Sequence, residues 1–575
     1  MIVIAIVCIV LQVKLDLKFP EYMSEITALV QTEGNAMSDV WAAGGKMMIC
    51  ALGSLVLAII MGFLSSQIAA RFSYRLREGV YNKVMSFSDE EMNKFSTASL
   101  ITRSTNDITQ IQMFVVFGMV ILIKAPITAV IAMQKISTKN WQWTALTGGV
   151  IGFICLILGF VMIYAIPRFK KMQVLTDNLN RVTRENLTGL LVVRAYNAEP
   201  FQEGKFDDAN DELTKTQLQA QTAMTVMNPG LNLAMNGLTL GIYWIGAVLI
   251  SNITVVDPAS MMERVTIFSD MVVFINYAMQ VVMSFLMLVM IFIMLPRVSV
   301  SAKRLNEVLS TTVRMKNGTK AAGNADMKGE VEFKDVSFRY HDDAEDVIHN
   351  ISFSAHRGET VALIGATGSG KSTIINLIPR LYDVTSGEVL VNGVNVKEYS
   401  FKALRERIGF VPQKSFLFSG TVAENIGYGE ENPAEEDIKK STKIAQAAEF
   451  VETEEVGYEG HVAQNGSNFS GGQRQRLSIA RAIAKNAEIL IFDDSFSALD
   501  YRTDRVLRSE LNKEIKDVTK IIVAQRIGTI MDADRILVIE DGEIVGNGTH
   551  KELMKSCNTY QEIAYSQLSK EELGV

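Results

Sequence analysis

The sequence predicts two fused parts: an all-α membrane domain of six helices with long cytoplasmic extensions, then an α/β domain built on a phosphate-binding loop. Three observations predict it. Long apolar stretches fill residues 1–300, whereas residues 329–575 alternate short apolar runs with polar segments. The pattern Gly365-x-x-x-x-Gly370-Lys371-Ser372 lies between an apolar strand and a helix, the setting in which it binds phosphate. Far downstream, the apolar run Ile489–Asp493 ends in an acid, as expected of a buried strand that delivers a carboxylate to the same edge. At 575 residues the chain also exceeds a single domain.

The membrane half begins at the first residue. Residues 1–13 lack a basic leader and a small-residue cleavage site, so they read as a first span rather than a signal peptide. Thirteen apolar residues are fewer than the ~20 that cross a bilayer core. The span is therefore expected to continue through residues 15–30, or its start is trimmed. Further spans read at 42–68, 113–133, 143–166, 224–250 and 267–295. Arg71, Arg75, Arg77, Lys83, Lys94 and Arg103 follow the second span, and Arg168, Lys170, Lys171, Arg181, Arg184 and Arg194 follow the fourth. The positive-inside rule places both segments and both termini in the cytoplasm. Residues 172–191 are polar, free of Pro, free of Gly until Gly189, and carry apolar residues at helical spacing. They are expected to extend a helix beyond the bilayer, since 20 residues reach ~30 Å.

Inside the membrane, Met279, Met283, Met287, Met290 and Met294 fall on one helical face. Asn276 and Gln280 form an i, i+4 pair on the same span, and Asn232 and Asn236 form another on span five. Amides in lipid face a bundle interior or cavity, and flexible Met side chains suit varied apolar ligands. The set is expected to line a substrate cavity, with helix packing as the alternative.

Composition excludes other classes. A net charge of −7 with no Lys/Arg-rich block leaves no nucleic-acid face. The four cysteines, Cys8, Cys50, Cys155 and Cys557, have no metal-ligand or redox spacing.

At the phosphate loop, Gly365, Thr367, Gly368, Ser369 and Gly370 let backbone N–H groups approach phosphates, and the helix opening at Lys371-Ser372-Thr373 adds its dipole. Lys371 would bridge the β- and γ-phosphates of ATP. Ser372 and Asp493 would hold Mg²⁺.

The flanking motifs narrow the type. Asn468-Phe469-Ser470-Gly471-Gly472-Gln473-Arg474-Gln475-Arg476 closely resembles the signature of ABC-type ATPases. Gln413 resembles their Q-loop residue, Ser497-Ala498-Leu499-Asp500 their D-loop, and Tyr340 falls where they stack an aromatic on adenine. Residues 99–107 and 193–199 resemble exporter coupling phrases. Six spans followed by one such ATPase domain resemble a half-size ABC exporter. The resemblance implies a transmembrane domain at 1–308 with coupling segments near 95–107 and 190–205. It implies a linker at 309–328 and a cytoplasmic ATPase domain at 329–575. The membrane would be the bacterial plasma membrane.

In that family two ATPase domains close head to tail, so Ser470, Gly471, Gly472 and Gln473 would contact ATP held by a partner. Gln413 would join the Mg²⁺ ligands. Two positions depart from the pattern. Asp494 stands where the catalytic Glu is usual, and Gln525 stands where the switch His is usual. No histidine lies between 500 and 549 to replace it. The departures resemble the weaker subunit of heterodimeric bacterial multidrug exporters. A second half-transporter carrying Glu and His, and hydrophobic or amphipathic substrates, are therefore expected. A lipid or peptide exporter and a slow homodimer are the alternatives.

Overall fold

The computed structural model describes residues 1–31, 36–138, 141–254, 258–453 and 457–573. They divide into two compact units: residues 1–83 with 98–310, and residues 84–97 with 311–575.

The first unit is helical. Its long members are α1 (Ile2–Gln31) and α2 (Met37–Met85), which precede the short α3 (Asp89–Lys94) and α4 (Thr97–Thr102). A π-helical turn, Arg103–Asp107, then leads into α5 (Ile108–Ser137). The remainder comprises α6 (Trp141–Thr188), α7 (Leu190–Ala195), α8 (Glu199–Thr225), α9 (Met227–Ser251) and α10 (Pro258–Ser310). Among the described residues, five helical stretches are long and apolar enough to cross a membrane. Helix α1 is not one of them, because Lys14, Asp16, Lys18 and Glu21 interrupt its apolar run. It is nevertheless integrated. Ala5, Ile9, Val13 and Leu17 recur at four-residue spacing and are fully buried, one face of a helix. The Tyr277 hydroxyl of α10 donates to the Leu17 carbonyl at 2.9 Å. Trp143 packs on Phe274 with ring centroids 5.1 Å apart, at the heart of the same cluster. On the outside, Leu156, Phe160 and Ile163 are exposed, as lipid-facing residues must be when only hydrocarbon surrounds them.

The polar extensions are helical, as the periodicity predicts. Helix α6 continues without a break to Thr188 and pairs with α8 through Lys171–Glu212 and Lys205–Glu185, both at 3.0 Å. Exposed pairs of this kind contribute at most about 1 kcal/mol each. They set register more than stability.

The first connection departs from expectation. Residues 84–97 group with the second unit, so the segment that joins it lies ahead of most of 95–107. The phrase from Ser99 to Asp107 is instead helix running into α5, with Ser301 donating to the Asp107 carboxylate at 2.8 Å. Local capping explains the shift. Ser88 and Glu91 form a reciprocal capping box that starts α3, and the other Glu91 oxygen accepts the Arg314 N–H at 3.1 Å. Residues 190–205 group with the first unit.

The second unit has a six-stranded sheet. Its order is Glu543–Gly548, Arg535–Glu540, Thr360–Gly365, Thr519–Val523, Ile489–Asp493, Ile408–Val411. Only the first pair is antiparallel. The strands Ile489–Asp493 and Thr519–Val523 are buried along their whole length, because packed side chains cover both faces, as parallel sheets require. A four-stranded antiparallel sheet, headed by Val331–Phe338, packs beside it. The register sets Val523 opposite both Leu363 and Asp493. The loops that follow these strands therefore emerge along one carboxyl edge, where open α/β sheets bind ligands.

Phe492, fully buried against Phe496 with ring centroids 5.3 Å apart, anchors that edge. Phe492→Ala is expected to destabilise the second unit by about 3–5 kcal/mol, read as a lower midpoint in chemical denaturation followed by a probe in that unit.

Candidate nucleotide site

The phosphate loop turns on two glycines. Gly368 and Gly370 have φ of +88° and +95°, a left-handed backbone that Gly adopts without cost. A Cβ at Gly370 would lie 2.7 Å from Ile348, and one at Gly365 would lie 2.0 Å from the Ile539 carbonyl. The loop feeds the helix Lys371–Leu377, so the N–H groups of its first turn face the loop. Lys371 bends back across it, donating to the Gly365 and Ala366 carbonyls at 3.0 and 2.7 Å and to Ser369 at 3.2 Å. Burial pulls this ammonium below the usual lysine range, while the charges of Asp494 and Asp493 oppose the shift. An anion at the loop would hold it charged.

Ser372 donates to the Asp493 carboxylate at 2.9 Å. Burial raises Asp493, the Ser372 hydrogen bond and the Lys371 charge lower it, and the charge of Asp494 adds to the rise. A hydroxyl, a carboxylate and the nearby Gln413 amide are hard oxygen donors. They fit Mg²⁺, which takes one or two protein oxygens and completes its shell with phosphate and water. Among the described residues no group of three His, Cys, Asp or Glu side chains is placed to hold a metal ion.

Asp494 sits at φ +46° directly after the strand, in a conformation that Asp tolerates better than most residues. Its Oδ2 accepts from the Gln525 amide at 2.9 Å and from the Gln413 amide at 3.3 Å. The three residues singled out as catalytic from sequence are thus brought together.

Tyr340 lies beside the loop. Its hydroxyl shares a 2.9 Å hydrogen bond with Thr373, and its ring meets Phe338 and Tyr382 edge-on at 4.9 and 5.2 Å. The signature residue Ser470 caps the helix Gly471–Ala484 through a capping box with Gln473. Ser470 and Gly471 are exposed, leaving the helix's N-terminal turn open. Asp500 caps the helix Tyr501–Glu514, accepting the Thr503 N–H at 2.9 Å. That bond holds its carboxyl below the usual range.

One contributor was invisible in the sequence. Gln567, at the end of the helix Asn558–Gln567, donates to the Gln525 carbonyl and accepts the Ile527 N–H, both at 2.8 Å. Arg526 donates to the Ser497 carbonyl at 3.1 Å. The segment carrying Gln525 is therefore held from two sides.

In the first unit, a cavity of about 470 Å³ gathers part of the expected substrate set. Gln280, Met283 and Met287 line it. Asn276 does not, and its amide bonds its own helix at the Val272 carbonyl, 2.8 Å away. Met279 is also absent from the lining, and Asn232 and Asn236 are exposed on α9. Residues missed from the sequence, Asp16, Ser54 and Lys124, complete the wall.

The ABC transporter pattern matches residues 348–497, and the ABC transporter transmembrane region matches residues 2–271. An ABC transporter ATP-binding protein of Mycobacterium tuberculosis is 37% identical over 562 residues, covering 95% of this chain and 93% of its own length. The chain belongs to the ABC transporter family. It is a half-size ABC exporter, with a helical transmembrane domain followed by a phosphate-loop ATPase domain. A Bacillus subtilis ABC transporter ATP-binding protein is 34% identical, covering 93% of this chain and 91% of its own length. The ATP-dependent lipid A-core flippase of Vibrio vulnificus is 30% identical, covering 92% and 87%. The fold matches a bacterial Atm1-family ABC exporter with ATP bound, at a TM-score of 0.80, 23% identity and coverage of 98% and 97%. An exporter of this family couples ATP to export and works as a dimer in a lipid bilayer.

Gln567→Ala removes the two hydrogen bonds that Gln567 makes to the Gln525 segment and leaves that of Arg526 in place. The expected loss is about 1 kcal/mol in local opening, seen as roughly fivefold faster amide hydrogen exchange over 524–530.

Proposed function

We propose that this ABC exporter is one subunit of a heterodimer that exports hydrophobic or amphipathic compounds across the bacterial plasma membrane, and that the ATP site on its own phosphate loop hydrolyses slowly. The observation that carries the reading is the pair Asp494 and Gln525, each replacing a hydrolytic group while the binding groups persist. Asp is one methylene shorter than Glu, which withdraws the carboxylate by ~1.5 Å. A misplaced general base costs ~10²–10⁴ in rate. Gln525 can hydrogen-bond a γ-phosphate but cannot carry the charge of an imidazolium. The two amide donors on Asp494 Oδ2 support the reading further, since they commit one of its two oxygens to protein and leave only Oδ1 to meet a water.

In this scheme Tyr340, Lys371, Ser372, Gln413 and Asp493 hold Mg²⁺ and ATP, while Ser470 to Gln473 complete the faster site of the partner, which carries the Glu and His. The open N-terminal turn beside Ser470 is suited to a phosphate from another chain. Leu191, Val192, Tyr196 and Phe201 are exposed at the cytoplasmic end of the first unit, a grouping that a partner's surface would cover. A second reading within the same fold is lipid export. The flippase relative favours it, as does the charged wall of the membrane cavity.

The expected result is negligible ATPase activity for the chain alone and robust activity with its partner. The double substitution Asp494→Glu with Gln525→His should raise turnover at this site by ~10² or more. Brisk hydrolysis by a homodimer of the unaltered chain would refute the scheme.

A further inference from the structure

The cavity in the first unit holds charges that the apolar reading of its Met face does not explain. Asp16 on α1 and Lys124 on α5 form an ion pair at 3.2 Å, with 31% and 27% of their side chains exposed to the cavity. Ser54 on α2 donates to the same Asp16 carboxylate. By position in their spans, Ser54, Lys124 and Gln280 each lie near the middle, so the pair sits at the depth where lipid is least tolerant of charge. Two wall groups have no hydrogen-bond partner among the described residues: the Thr128 hydroxyl, on a side chain more than nine-tenths buried, and the Gln280 carbonyl oxygen. Both atoms are closed to the cavity space, so the charged groups that face a ligand are Asp16 and Lys124.

We propose that this cavity binds an amphiphile whose head group carries both an ammonium and an acidic group, the tail lying against Met283, Met287 and Phe19. The argument is charge balance. A purely cationic head at Asp16 would displace Lys124 and leave its ammonium bare. A purely anionic head at Lys124 would strand Asp16 in the same way. An unpaired charge in this setting is far more costly than a paired one. A zwitterion replaces one internal pair with two external ones, leaving neither partner unmatched. A neutral head matches neither charge. Zwitterionic phospholipids and zwitterionic amphipathic drugs share this chemistry. The inference rests on the export reading above and narrows its substrate class.

The test uses the full chain, tagged and purified with whatever subunit accompanies it, in lipid nanodiscs. Binding of dodecyl phosphoethanolamine is compared with that of dodecyl phosphate, dodecylammonium and dodecyl maltoside, and nanodiscs rich in phosphatidylethanolamine are compared with nanodiscs of phosphatidylglycerol. The zwitterion is expected to bind about tenfold tighter than either singly charged probe. Asp16→Asn and Lys124→Met should each abolish that preference. The swapped pair, Asp16→Lys with Lys124→Asp, should restore it, which separates lost recognition from misfolding. Competition by phosphatidylethanolamine alone would assign the site to lipid, and binding of the single-chain zwitterion in both discs to a smaller compound. Equal affinity for the four probes, or a preference that survives both single substitutions, would overturn the proposal. ATP-driven uptake of a neutral apolar dye into inverted vesicles reports separately on export. Uptake without charge preference refutes the site alone, whereas charge preference without uptake of any probe refutes export.

Discussion

The hydrogen bond from Ser372 to Asp493 is the constraint on which the nucleotide site depends. It joins the helix after the phosphate loop to the end of the strand Ile489–Asp493, one strand removed from the loop's own. These are the two oxygens that would hold Mg²⁺ in the proposed site. Burial makes this arrangement strained, because it raises Asp493 while Asp494 stands beside it with a second carboxylate. Lys371 offsets part of that charge from across the loop, and burial works against its ammonium too. The site thus has two acids and one base in a poorly solvated pocket. A divalent cation brought in with a polyanion resolves both imbalances together.

The same logic explains the arrangement around Asp494. Its backbone leaves the strand in a left-handed turn, with its N–H bonded to the Val523 carbonyl at 3.0 Å. The short side chain then meets the amides of Gln413 and Gln525. The backbone at Gln525 is held in turn by Gln567 on the helix Asn558–Gln567. Asp494 is therefore buttressed as a hydrogen-bond acceptor. Those two donors engage one carboxylate oxygen, Oδ2.

What could be read without coordinates was local. The phosphate loop, the Ser470–Gln473 cap and the acid ending Ile489–Asp493 are contiguous patterns whose chemistry depends on neighbours a few residues away. The apolar spans are equally direct, since lipid imposes length and composition. What could not be read was rotational or long-range. In a span that is apolar on every side, periodicity does not say which face looks inward, and so Asn232, Asn236 and Asn276 were expected in a cavity they do not line. The break after α2 was placed late because the Ser99 to Asp107 phrase resembles a connection, whereas the Ser88–Glu91 capping box starts the short helix α3 earlier. Gln567 and Gln525 meet only because the last helix folds back over the sheet edge. Asp16 and Lys124 lie on different helices, and α1 alone reads as a span interrupted by charge. Their pairing accounts for one of the four charges that interrupt α1.

In the proposed pair, a slow site has a thermodynamic use. A ligand that binds only the closed arrangement of two ATPase domains stabilises it by RT ln(1 + [L]/Kd), about 2.7 kcal/mol at a hundredfold excess over Kd. ATP held behind Asp494 would supply this bias continuously, because it is not spent at each turn of the cycle. The partner's site would then need to supply only the remaining free energy of closure and to remove it on hydrolysis. Opening would be partial or brief rather than complete, since one nucleotide still bridges the Lys371 loop and the partner's signature. Restoring hydrolysis on this chain would remove the standing bias along with the slow step. A faster ATPase and weaker coupling of each ATP to transport are therefore compatible, and the ratio of substrate moved to ATP consumed would report the use of the slow site more directly than either rate alone.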